Sequence, residues 1–179
     1  MIEYLPLVLT GLGLTASIIY YANILSNANK TRELQLHAQE QALETRQAQM
    51  FMQIYNQCQD PTFTGAFNRI TKTEIKTLDQ LEKLIENEQY YSDVNRVGMF
   101  YEGLGVLVKE GYVSIRLVAL LMTGMTRRWW EGHNKNIIEE ARKKWNFRRL
   151  MSESEYLYNE LIKYIEENPE LKTEASPIQ

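Results

Sequence analysis

Two histidines, one cysteine and scattered carboxylates are the side chains here best suited to metal or nucleophilic chemistry. His37 has Glu33 four residues before it and Glu40 three after, so all three share one helix face. A zinc ion needs three or four ligands in a tetrahedron, and this spacing arises readily on a solvated, charged helix. His133 has only Asn136 and Ile137 at the matching offsets, and neither histidine closes a Glu-x-x-His pair of the di-iron type. Cys58 lies between Gln57 and Gln59 with no basic neighbour in sequence to favour a thiolate, which suits a packing role. No nucleophile elbow, phosphate-cradling loop or dinucleotide fingerprint is present. Gly98, Gly103 and Gly105 fall inside a helical pattern, where their use is close helix–helix contact. Glu86, Glu88 and Asp93 are the place to look for an unrecognised active site. The sequence thus assigns no catalytic residue, no metal ligand and no cofactor.

A basic segment carries more signal. Arg127, Arg128, Lys135, Arg142, Lys143, Lys144, Arg148 and Arg149 outnumber Glu131, Glu139 and Glu140, with Trp129, Trp130 and Trp145 interleaved. Three partners fit such a stretch: anionic lipid headgroups, nucleic acid, or the chain's own acidic C-terminal segment. That segment holds Glu153, Glu155, Glu160, Glu166, Glu167, Glu170 and Glu174, so internal pairing is the simplest account. Contact with an anionic surface would use Arg127, Arg128, Arg142, Lys143, Lys144, Arg148 and Arg149. A net charge of −3 makes nucleic acid the least favoured partner.

The elements that position these residues are helical. No charged side chain occurs from Tyr4 to Asn29, and the run from Tyr4 to Leu25 has the roughly 20 mostly apolar residues that cross a bilayer as a helix. Met1-Ile-Glu3 lacks the basic start of a cleaved leader, so a retained transmembrane anchor is expected. Lys30 and Arg32 follow the run, which places the N-terminus outside and the remaining chain in the cytoplasm of a single-pass cell-membrane protein. Gly13 and Ser17 stand four apart and offer a small-residue face on which two such helices can pair. From Ser26 to Asp60 there is neither Gly nor Pro, so the helix can continue unbroken as a stalk. Leu36, Leu43 and Met50 recur every seven residues, but Gln39, Arg46 and Gln53 spoil the companion positions of a coiled coil.

Asp60-Pro61 ends that helix, and spacings of three and four then mark successive amphipathic helices. The first buries Phe63, Ala66, Phe67 and Ile70; a capping box at Thr77 to Gln80 opens the second. A longer one stops at Gly111, Ser114 caps another, and a basic helix runs from about Thr126 to Trp145. A second capping box, Ser152 to Glu155, opens the last helix, which Pro169 stops. The reading is all-α: an anchor over 1–29, a stalk over 30–60, a multi-helix soluble domain over 61–168 and a flexible tail over 169–179.

The stretch Asn95 to Val113, ending Glu102-Gly-Leu-Gly-Val-Leu-Val-Lys-Glu-Gly111, carries a resemblance. With Trp129 and Trp130, Ala141-Arg-Lys-Lys144 and Ser154-Glu-Tyr-Leu157, it resembles a prokaryotic family known only as a domain of unknown function, family 4760. The likeness covers about Met50 to Tyr164, and departs at Gly103 and in the doubled tryptophan. It implies one N-terminal span and a helical cytoplasmic domain, and lends nothing to mechanism. The function expected is a membrane-anchored interaction or scaffold module, with lipid and either a protein partner or a second copy of itself as partners. The alternatives are an effector or enzyme with an unrecognised site, or a tethered lipid or nucleic-acid sensor.

Overall fold

Asp60 closes one helix and opens the next. Its Oδ1 accepts the backbone N–H groups of Thr62 at 2.8 Å and Phe63 at 3.2 Å, while Pro61 occupies the first turn, where a missing N–H costs nothing. On either side lie α1 (Leu5–Gln59) and α2 (Pro61–Lys72). This computed structural model describes the backbone of residues 5–171 and the side chains of 13–15 and 17–171. By its internal contacts the chain separates into two units, Met1–Arg46 and Gln47–Gln179.

In the first unit α1 is unbroken, as the lack of Gly and Pro after Ser26 predicts. Every described side chain from 13 to 46 is exposed. The expected anchor must be corrected. Among the described residues no helix is long and apolar enough to cross a membrane. The described run from Gly13 carries Thr15, Ser17, Asn23, Ser26, Asn27 and Asn29 among its apolar residues, and charge begins at Lys30. That dilutes it below the roughly 20 apolar residues a span requires. The transmembrane part of the fold reading, the single-pass topology and the cell-membrane location with an outside N-terminus are not supported. The part of the expected span before Gly13 falls outside the described side chains, and residues 172–179 of the expected tail fall outside the described residues.

The second unit holds α3 (Leu78–Ile85), α4 (Glu88–Lys109), α5 (Ile115–Leu121), α6 (Thr123–Trp129), α7 (Ile138–Lys144) and α8 (Ser152–Glu167), with no strand among the described residues. Phe63, Ala66, Phe67 and Ile70 of α2 are all buried, as their spacing predicts. They join Phe51, Val97, Tyr101, Leu104, Val118, Trp129 and Leu157 in the main core. A second cluster, Ile75, Leu78, Leu81, Ile137 and Ala141, fills the space between α3 and α7. Thr77 caps α3 by accepting the Gln80 N–H at 3.3 Å, and the Gln80 side chain returns to the Lys76 N–H at 2.8 Å. Gly111, at φ +74°, terminates the turn after α4 in a conformation open to glycine.

Two helical readings are corrected. The basic helix is not continuous: a single π-helical turn, Trp130–Asn134, separates α6 from α7. Its wide ring closes from the Lys135 N–H to the Trp130 carbonyl at 2.9 Å, and the buried Asn134 side chain donates to the Trp129 carbonyl at 3.0 Å. Gly132 and Asn134, both weak helix formers, sit where the helix widens. The second capping box also does not form. Met151, in the left-handed region at φ 54°, precedes α8 without a side-chain cap, and a carboxylate from α4 serves instead. That carboxylate is Glu102, which accepts the Ser154 N–H at 2.9 Å and the Glu153 N–H at 3.4 Å.

Close packing of α4 on α8 depends on two of the three glycines singled out by sequence. A Cβ on Gly105 would collide with the Glu153 backbone carbonyl, and one on Gly98 would meet the Met151 side chain at 2.7 Å. Gly103 faces open space.

Candidate functional site

The residues that sequence pattern offered for chemistry are dispersed. His37 pairs with Glu40 alone, at 3.3 Å, and both are exposed. Among the described residues no three His, Cys, Asp or Glu side chains gather as a metal site would require. Burial pushes the Cys58 thiol up to about 12, so it stays protonated and inert within the core. Glu86 and Glu88 are exposed, whereas Asp93 is buried and engaged. The Arg69 guanidinium grips both Asp93 oxygens, at 2.6 and 2.9 Å, and Gln89 adds a third bond at 3.0 Å. Those bonds, Arg69 first, hold the Asp93 carboxyl below its ordinary range, which makes it a structural ion rather than an acid catalyst.

The basic segment is largely engaged within the chain. Arg127 pairs with Glu131 at 2.9 Å, and Arg142 with Glu139 at 2.6 Å and Glu155 at 2.8 Å. Lys144 reaches Glu82 at 2.6 Å, beside the Trp145 indole N–H, and Arg149 lies 3.6 Å from Glu153. Arg128, Lys143 and Arg148 form no ion pair among the described residues. Trp129 and Trp130 are buried, with Trp129 stacked between Tyr101 and His133. Only Trp145 of the three is exposed, so the interleaved aromatics do not form one platform.

Two features remain. The first is on α1. Leu14 (65% exposed), Ile18 (60%), Tyr21 (64%) and Leu25 (64%) follow one another at steps of four, three and four. That is the spacing of a helix–helix seam, continued by Ala28 and ended by Arg32. Gly13 and Ser17 are also exposed, and the Ser17 hydroxyl donates to the Gly13 carbonyl at 2.8 Å. The stalk stripe drew attention to Leu36 and Leu43, while the denser seam stood upstream, concealed within a run expected to face lipid.

The second is a cavity of about 120 Å³ at the π turn. Leu81 and Ile85 of α3, Val94 of α4, and Ile137, Ile138 and Ala141 at α7 supply its apolar walls. His133 and Asn134 enter it from the π turn, because the extra residue in that turn rotates them toward the core. The imidazole is 5% exposed, and its Nε2 lies 3.0 Å from the Tyr90 hydroxyl. Burial lowers the His133 pKa to about 4 and raises that of Tyr90 to about 12, so both are neutral near pH 7. His133 has no strong ligand at helical spacing in sequence; its partner Tyr90 is in another helix, and no local signal marks it.

The described residues therefore form an all-helical protein with an exposed apolar seam on α1 and a partly open, mostly apolar cavity, without a recognisable catalytic arrangement. Residues 7–161 match the family model described as Domain of unknown function (DUF4760), and the chain belongs to that family. No curated protein and no solved structure matches it.

Proposed function

We propose that this chain is a helical interaction module that assembles with further copies of itself through α1. The observation that carries the reading is the seam Leu14, Ile18, Tyr21 and Leu25, four large apolar side chains at helix-pairing spacing and all more than half exposed. A second copy suits it because no charged side chain occurs from Tyr4 to Asn29, so identical helices meet there without repulsion. In a symmetric pair the eight side chains, each 60–65% exposed, contribute roughly 7–15 kcal/mol at full burial. That is comparable with the roughly 4–15 kcal/mol that association costs. Gly13 and Ser17, on the same stretch of helix, add small residues where backbones can approach closely.

Ile19, Tyr20 and Ile24 are exposed outside the seam, so a bundle of more than two helices covers more apolar surface than a pair. The test is the molar mass of the purified full chain in solution, measured by light scattering across a concentration series. A multiple of the chain mass is expected, with Ile18→Glu plus Leu25→Glu returning it to the monomer without altering helicity. A wild-type chain that stays monomeric throughout the series would rule the reading out.

A further inference from the structure

We propose that the 120 Å³ cavity beside the π turn is a binding site for an uncharged apolar molecule of about one aromatic ring, whose single polar group meets the His133 imidazole. This rests on features separate from the α1 seam.

Size sets the first limit. A protein cavity of roughly 150 Å³ walled by aliphatic side chains accommodates benzene, so the present, smaller volume takes no more than a single small ring. The walls set the second. No charged side chain lines the cavity, and an ion entering it would lose its hydration without a counter-charge. The third limit is polar and local. Asn134 spends one of its two amide N–H groups on the Trp129 carbonyl, and His133 spends Nε2 on Tyr90. Among the described residues no hydrogen bond reaches His133 Nδ1, which leaves one ring nitrogen to orient a hydroxyl or N–H on the guest. Entry is available from one side, where Tyr91, Asn95 and Trp145 line the cavity and are exposed.

The π turn is what makes this arrangement. A regular α-helix through Trp130–Asn134 would turn His133 by a different angle relative to α3 and α4. Widened turns of this kind are rare and occur frequently at functional sites.

Phenol is the probe, with benzoate as the charged control of similar size. Each is titrated into the full chain while methyl and imidazole resonances are followed by NMR. Saturable phenol binding at or below about 1 mM is expected. The shifts should centre on Leu81, Ile85, Ile137 and the His133 ring, and benzoate should bind at least tenfold more weakly. Ala141→Leu, which fills the cavity from α7, should weaken phenol at least tenfold while leaving the melting temperature at or above wild type. If that variant does not fold, Leu81→Phe fills the opposite wall. Shifts that never saturate, that spread over the surface, or that persist unchanged in a folded filled variant overturn the assignment.

Discussion

The Glu102 carboxylate accepts the backbone N–H of Ser154 at 2.9 Å, so the N-terminus of α8 is capped by a side chain from α4. The second carboxylate oxygen takes the Glu153 N–H at 3.4 Å. A negative group at a helix N-terminus satisfies orphan donors and complements the helix dipole. Glu102→Ala should therefore cost about 1 kcal/mol, seen as a lower urea midpoint with an unchanged m-value. Glu102→Gln retains an acceptor oxygen and should lose less than half as much.

The same helix pair predicts opposite outcomes for two neighbouring glycines. Gly105→Ala drives a Cβ into the Glu153 carbonyl and must push α8 away, at a cost of about 3 kcal/mol or more. Gly103→Ala meets nothing and replaces a poor helix former within α4, gaining up to about 1 kcal/mol. Thermal melts of the two variants should shift in opposite directions. A parallel loss in both would mean that α4 does not approach α8 as described.

This contrast shows what sequence reading can reach. The stripe Phe63, Ala66, Phe67 and Ile70 and the caps at Thr77 and Ser114 are local patterns, and all are found as expected. Gly103 and Gly105 look alike in sequence, because only the path of α8 distinguishes them. Ser152 to Glu155 has the letters of a capping box, yet Glu102, from a distant helix, supplies the cap. The candidate site was less legible still. The π turn and the Tyr90–His133 bond join residues 43 apart in the chain, beyond any spacing rule. The seam on α1 is visible in the sequence as apolar residues, but an uncharged run of that length followed by Lys30 and Arg32 has the pattern of a lipid-facing helix.

Asp93 and Arg69 supply a third prediction. Arg69→Ala strands a buried carboxylate, a change that costs about 3–5 kcal/mol when both partners are buried. Here the guanidinium is half exposed, which lowers the expected loss below that range. The Asp93 pKa is depressed, so its contribution is present above the unfolded value and fades as pH falls through the lower folded one. Asp93→Asn should abolish that acid dependence, and combining both changes should cost less than the sum, as a double-mutant cycle in urea will measure.

His133 predicts acid sensitivity of the opposite origin. Its folded pKa of about 4 lies below the ordinary 6.5 because burial disfavours the imidazolium. The unfolded chain therefore binds a proton that the folded chain refuses over this interval. Stability from neutral His133 is fully present above pH 6.5 and is lost progressively toward about pH 4. The loss at the lower limit is roughly 3 kcal/mol. His133→Gln cannot titrate, so its stability relative to wild type should rise by that amount as pH falls across the window. Urea unfolding of both proteins at several pH values isolates the difference from the carboxylates, which titrate alike in each. Parallel curves would show that the imidazole reaches solvent and is not held inside the π turn. A slope confined to His133 would place it in the apolar environment from which the cavity assignment starts.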